Sequence, residues 1–265
     1  MKSLRAVFAF LILLEVGSSA LQAQETVSAT VRPAWIPLIE KAKQLETQGS
    51  YLEAKEIYES LLKRTLPRKR KLAVRKTYED LQVKILFSPL ETPDSFLYTV
   101  ASGDTLSGLA EKFGTTIELL QKSNRISGET IYYGKKLKIT KNKFSILVEK
   151  GGNRLHLLAD DKLLKTYRVA TGDHDATPEG VFKIVSKLKN PTWFHAGLVL
   201  PPDSPKNILG TRWLGFDRSS YGIHGTTLPE TIGTHASKGC VRMLNQDVEE
   251  IYALIPIGTR VVIKK

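Results

Sequence analysis

Ser237-Lys238-Gly239-Cys240-Val241-Arg242-Met243 holds the only cysteine of a 265-residue chain. A single thiol forms no intramolecular disulfide, so a covalent staple does not account for it. Two readings fit the residue: a small buried hydrophobe, the ordinary fate of a free cysteine, or a nucleophile. Upstream lies Tyr221-Gly222-Ile223-His224-Gly225-Thr226, a histidine set among small residues. A cysteine and a sequence-distant histidine that meet in the fold make a nucleophile and its base. An imidazolium beside the sulfur lowers the thiol pKa enough to populate the thiolate. Gly239 lets backbone approach a substrate closely, and the amides of Gly239 and Cys240 are candidates for an oxyanion hole.

Around this stretch the chain reads as short strands. Phe144–Glu149 and Arg154–Leu158 flank a turn at Gly151-Gly152-Asn153, Asp160-Asp161 turns into Lys162–Ala170, and Thr177-Pro178-Glu179-Gly180 precedes Val181–Val185. One helix is expected near Asn245–Leu254, where Val248, Ile251 and Leu254 share a face, and Gly258–Ile263 closes as a strand. Strands at this spacing predict a mostly-β sandwich or barrel over 144–265. Pro191 to Trp213 is rich in proline and aromatic residues and reads as a stiff loop over a cleft.

The ordered set Thr171-Gly172, Thr177-Pro178-Glu179-Gly180, Asn190-Pro191-Thr192-Trp193, Leu209-Gly210, Tyr221 to Thr226 and Ser237 to Met243 resembles the catalytic domain of L,D-transpeptidases. Many members carry histidine where this chain has Lys238. The resemblance implies Cys240 as nucleophile and His224 as proton donor and acceptor, with the Gly225 carbonyl orienting its ring and the Gly239 and Cys240 amides holding the oxyanion. Arg242, Ser237, Lys238, Trp193 and Tyr221 are the implied substrate-binding set; Arg242 is suited to a carboxylate and Ser237 to bracing the loop. The implied chemistry is acyl transfer without a cofactor. Cys240 attacks the L,D bond of a tetrapeptide stem, D-alanine leaves, and an amine on a second stem resolves the thioester as a 3-3 cross-link. Hydrolysis replaces that last step if water attacks. A zinc site built from His195, His224, His235 and Cys240 is the competing reading, and the spacing of these residues matches no tight ligand pair; no metal is expected.

Residues 97–141 form a separate module. Tyr98-Thr99-Val100 alternates as a strand, Asp104 or Thr105 can cap a helix through Phe113, Gly114 stops it, a second helix ends near Asn124, and Tyr133-Gly134-Lys135-Lys136-Leu137 leads a closing strand. These residues, with Gly103-Asp104-Thr105-Leu106, resemble the lysin motif, LysM. The resemblance implies binding to N-acetylglucosamine-containing glycan, chiefly peptidoglycan, with Gly103, Asp104, Thr105, Leu106, Asn124, Ile126 and Tyr133 as candidate contacts.

Residues 33–87 carry helical stripes broken at Gly49-Ser50 and ended at Pro67, and resemble a tetratricopeptide hairpin. A third helix, roughly Lys69 to Phe87, is expected to cover its open face. This segment either docks a protein partner or acts as a plain helical spacer. Ser88 to Pro93 reads as a linker. At the N-terminus, Lys2 and Arg5 precede an apolar run from Ala6 to Leu14 and small residues to Ala23, the layout of a cleavable secretory leader over 1–23. That run is too short to span a bilayer, so no integral span is expected after cleavage. Hydrophobic content of 42% and charged content of 25% exclude global disorder. A net charge of +12 favours anionic partners. Export to the periplasm or wall points away from nucleic acid despite the basic run Arg68-Lys69-Arg70-Lys71. The whole is a multidomain α+β chain: an N-terminal helical hairpin or bundle, a small βααβ module and a mostly-β catalytic sandwich. Its expected function is that of an exported peptidoglycan L,D-transpeptidase; the alternatives are a cysteine hydrolase and a non-catalytic wall-binding protein.

Overall fold

A computed structural model describes residues 32–265 apart from Ala196. The leader reading of residues 1–23 lies outside the described residues. Trp35 to Lys265 forms one compact unit.

Three helices open it: α1 (Trp35–Thr47), α2 (Tyr51–Leu62) and α3 (Arg68–Leu86). Gly49 turns the chain between the first two at φ +82, a conformation that costs glycine least. Pro67 stands just before α3. Ala42 and Ala54, both fully buried, let α1 and α2 approach, and Tyr58, Leu61 and Leu81 fill the space to α3. The third helix does more than cover the hairpin. It also packs on the catalytic domain, where Gln82 donates to the Leu164 carbonyl at 2.9 Å and Glu79 accepts from the Thr166 amide at 3.1 Å.

The next module runs β1 (Ser95–Thr99), α4 (Leu106–Phe113), α5 (Ile117–Asn124) and β2 (Lys136–Thr140), with β1 and β2 antiparallel and Tyr98 opposite Leu137. The first strand starts three residues before the expected Tyr98, because Phe96 packs edge-on against Phe113 at 5.5 Å. Thr105 caps α4 by accepting from the Gly108 amide, Gly114 ends it in the left-handed region, and Thr116 caps α5 by accepting from the Leu119 amide. Leu106, Leu109, Leu120, Leu137 and Ile139 form the module's core.

The C-terminal region holds β3 (Phe144–Glu149), β4 (Arg154–Ala159), β5 (Lys162–Arg168), β6 (Thr171–Gly172), β7 (Gly180–Lys189), β8 (Trp193–His195), β9 (Leu198–Leu200), β10 (Arg212–Phe216), β11 (Gly222–His224), β12 (His235–Ser237), β13 (Val241–Arg242), α6 (Asn245–Leu254) and β14 (Arg260–Lys264). Eight strands form one sheet in the order β13-β11-β10-β7-β14-β3-β4-β5. Two parallel pairs, β3 with β14 and β11 with β13, bring chain segments distant in sequence side by side. Helix α6 lays Val248, Ile251 and Leu254 against the sheet core. The stretch read as a stiff loop contains the β8–β9 hairpin. Asn207 secures the stretch by donating to the carbonyls of Pro191, Leu200 and Pro201.

Candidate active site

The site follows from the pleat of β11 and β13. Ile223 lies opposite Val241 and His224 opposite Arg242. Ile223 and Val241 are fully buried in the core. Side chains alternate along a strand, so His224, Arg242 and the flanking Cys240 belong to the other face. There they line a cleft of about 500 Å³ together with Trp193, Trp213, Ser220, Tyr221, Ser237 and Lys238.

The turn before Cys240 is braced by Ser237, whose hydroxyl donates to the Cys240 carbonyl at 2.6 Å and accepts from the Gly239 amide at 3.1 Å. Gly239 sits at φ +127, and a Cβ there would stand 2.7 Å from the Tyr221 ring and 3.0 Å from the Ala176 carbonyl. Only glycine fits. The same geometry corrects one expectation: the Gly239 amide is spent on Ser237, so it is not a free oxyanion donor.

His224 donates from Nδ1 to the Gly225 carbonyl at 2.6 Å. A carbonyl only accepts, so the neutral ring carries its proton on Nδ1 and keeps the Nε2 lone pair. Trp213 stacks on the imidazole, with ring centroids 5.9 Å apart. Burial pushes the His224 pKa down from 6.5 to about 4; the Gly225 and Leu209 carbonyls resist the shift and Arg242 adds to it. Burial likewise pushes the Cys240 thiol up, against the Gly222 amide and the Arg242 charge. The Sγ–H group points to the Ser220 carbonyl at 3.5 Å. Burial thus favours the neutral form of both groups, where the sequence suggested a thiolate beside an imidazolium. At Cys240 burial outweighs the Arg242 charge and at His224 the two act together, and no sequence pattern reports how deep a side chain will lie.

All of Cys240, His224, Ser237, Lys238, Trp193, Tyr221 and Arg242 reach this one cleft, while Gly225 and Gly239 shape its walls. Three contributors were missed. Trp213 was read only as part of a loop. Ser220 carried no signal. Asn245 looked like a helix start, yet its Oδ1 accepts from the Thr211 amide at 3.2 Å and the Thr226 amide at 3.1 Å, tying β10 to the loop after His224. Among the described residues no group of three or more His, Cys, Asp or Glu could hold a metal ion. His235 is instead bonded to Thr171 and Asn153.

In the small module the candidate glycan residues divide. Leu106 is in the core. Asn124 accepts from the Lys138 amide at 2.6 Å and donates to the Lys138 carbonyl at 3.0 Å. Asp104 accepts from the Ala101 amide and the Tyr98 hydroxyl. Gly103 and Thr105 are exposed, Ile126 is half-buried, and Tyr133 is 81% exposed.

Comparison with known proteins agrees with this architecture. Residues 143–263 match the family model of the L,D-transpeptidase catalytic domain and residues 98–140 that of the LysM domain. YkuD of Bacillus licheniformis, named for an L,D-transpeptidase, is 36% identical over 173 residues, covering 62% of this chain and 96% of its own. The similarly named YqjB of Bacillus subtilis is 42% identical over 124 residues, or 44% of this chain and 69% of its own. A crystal structure of L,D-transpeptidase 3 from Mycobacterium tuberculosis with a faropenem-derived adduct aligns at a TM-score of 0.41 and 14% identity, over 50% of this chain and 65% of that one. The matched catalytic domain defines an enzyme of the transpeptidase class. The chain belongs to the L,D-transpeptidase family and is an L,D-transpeptidase enzyme. Its LysM domain makes it a peptidoglycan-binding, wall-associated protein. Among the described residues no helix is long and apolar enough to cross a membrane.

Proposed function

We propose that this enzyme is exported and uses Cys240 as its nucleophile, taking the acyl group of a tetrapeptide stem, releasing D-alanine and forming 3-3 cross-links. The observation that supports this best is the shared cleft of Cys240 and His224, with the His224 tautomer fixed by Gly225. As the stem carbonyl arrives, Nε2 takes the thiol proton while sulfur adds to carbon. The imidazolium so formed gives that proton to the departing amine. An acceptor amine then attacks the thioester and returns its proton through the same ring. Because the pair rests neutral, charge develops only in the transition state, inside a half-dry cleft where the Arg242 cation can oppose it. Trp193 and Tyr221 wall the stem, and Lys238 stands at the rim. The LysM module, with Gly103, Thr105 and Tyr133 exposed on its loops, concentrates stems around the thiol by tethering. The helical segment serves as a buttress to the catalytic sheet.

The test is incubation with a purified disaccharide-tetrapeptide, read by mass spectrometry. Wild type is expected to yield dimer and free D-alanine, and Cys240→Ala neither. Dimer formed by Cys240→Ala refutes the assignment. Tripeptide without dimer shows a hydrolase instead.

A further inference from the structure

Apart from the catalytic cleft, a groove of about 1110 Å³ opens between α3 and strands β4 and β5, with the start of α6 at its end. Arg68, Lys71 and Arg75 reach it from α3, and Arg154 and Arg168 from the two strands. None of these five cations makes a hydrogen bond or ion pair with another described residue. The acids of the groove are mostly spent inside the fold: Asp80 pairs with Lys76 and Lys165, Glu250 with Lys165, and Glu79 accepts from the Thr166 amide. That leaves Asp247 against the five, and burial pushes its carboxyl up, toward the neutral form.

These cations stand where folding alone disfavours them. Arg68 to Lys71 place four positive charges in succession in the first turn of α3, which holds no acidic residue, against the helix dipole. Lys71 and Arg75 are like charges one helical turn apart. Arg154 lies directly opposite Arg168 across the β4–β5 pair, where like charges repel. Three local costs converge on one groove, and a polyanion seated in it relieves all three.

We propose that this groove binds a linear polymer whose backbone carries phosphate, a second hold on the wall that is independent of the acyl-transfer chemistry. A lone phosphate meets one or two of the cations, whereas a chain of phosphates meets both walls, and the guanidinium fork matches phosphate oxygens. An acidic peptide fits less well. It could add to the sheet as a strand along the β5 edge, but Gln82 already donates to the Leu164 carbonyl and Glu79 accepts from the Thr166 amide, so that edge is closed there. A bilayer fits less well too, since the charges line a concavity that a flat headgroup layer does not enter.

The experiment titrates labelled inorganic polyphosphate with three forms of the full chain: wild type, the groove variant Lys71→Gln/Arg75→Gln/Arg168→Gln, and the control Lys41→Gln/Lys43→Gln/Lys183→Gln, which removes three exposed cations outside the groove. The groove variant is expected to bind about 100-fold more weakly, at about fivefold per cation, and the control within about threefold of wild type. The slope of log affinity against log salt is expected at about −3.5 for wild type and about −1.4 for the groove variant, about 0.7 per contact. Equal losses in the two variants would mean attraction to net charge alone and overturn the site. Tighter binding of poly-L-glutamate than of polyphosphate would assign the groove to an acidic protein segment. Binding to phosphatidylglycerol vesicles that the groove variant loses, with no binding of polyphosphate, would assign it to a membrane surface. Either result overturns the proposal. Without ligand the groove variant should melt at or above the wild-type temperature, because it removes mutually repelling charges. A groove variant that melts lower, or does not fold, would show that these cations serve the fold itself, and overturns the proposal as well.

Discussion

His224 ties the stability of the fold to the proposed catalysis. In the unfolded chain its imidazole titrates at the ordinary 6.5; in the fold, burial lowers this to about 4. Between those values the unfolded chain binds the extra proton and the native one does not. Stability is therefore complete above pH 6.5 and falls as pH drops through the window toward 4, by up to about 3 kcal/mol from this group. The melting temperature of wild type should decline more steeply between pH 7 and 4.5 than that of His224→Gln; parallel curves would contradict a buried neutral ring. The acid limb of kcat/KM should likewise lie nearer pH 4 than 6.5, because His224, as the proposed base, works unprotonated. Cys240 and His224 were legible because a lone thiol and a glycine-flanked histidine are rare residue choices. Their protonation states were not, since burial arises from packing that no local pattern encodes.

The same divide recurs among the elements. Helix α6, the caps at Thr105 and Gly114, and the break at Gly49 were readable, because each obeys a local rule of period or backbone conformation. The short strands β6 and β12, of two and three residues, were not, for so few residues carry no periodicity. Yet they support the turn that carries Cys240, the proposed nucleophile. Thr171 donates to Asn153 Oδ1 at 2.8 Å, leaving its oxygen to accept from His235 Nδ1 at 2.8 Å, and Asn153 Nδ2 closes the ring on His235 Nε2 at 3.3 Å. This ring fastens β12, whose Ser237 grips the Cys240 turn, while the Ala170 and Arg242 backbones bond each other at 2.9 Å on the far side. Thr171→Val keeps the shape but strands buried Asn153 Oδ1 and takes the acceptor from His235 Nδ1. It should cost about 1–2 kcal/mol and, by loosening the turn, lower kcat about tenfold with KM little changed. Thr171→Ser should restore both. Denaturant melts and steady-state kinetics on the pair check this, and full activity in Thr171→Val would show that the ring does not hold the thiol.

At the scale of the whole molecule, the three segments are joined by polar bonds between residues far apart in sequence. Buried Lys138 of the LysM module donates to the Ile85 and Ser88 carbonyls at the end of α3, so the stretch read as a linker is pinned. Thr116, at the first turn of α5, donates to the Ala253 carbonyl at the end of α6, and Glu118 pairs with Lys189 of β7 at 2.8 Å. Asp80 of α3 and Glu250 of α6 share Lys165 of β5. The loops carrying Gly103 and Tyr133 lie at the other end of the α4–α5 pair from Thr116, so docking leaves them open to a glycan. Such a body should unfold in one calorimetric transition, with calorimetric and van't Hoff enthalpies equal. Thr116→Val removes both the α5 cap and the bond to α6, a loss of about 1–2 kcal/mol. If the docking fixes the LysM module to the catalytic sheet, this variant should show a separate, lower transition for the small module. It should keep its rate on soluble disaccharide-tetrapeptides and lose rate on intact sacculi, where the glycan strand has to be held while a stem reaches Cys240. An unchanged ratio of the two rates would mean that the LysM module acts only as a tether, indifferent to how it is oriented.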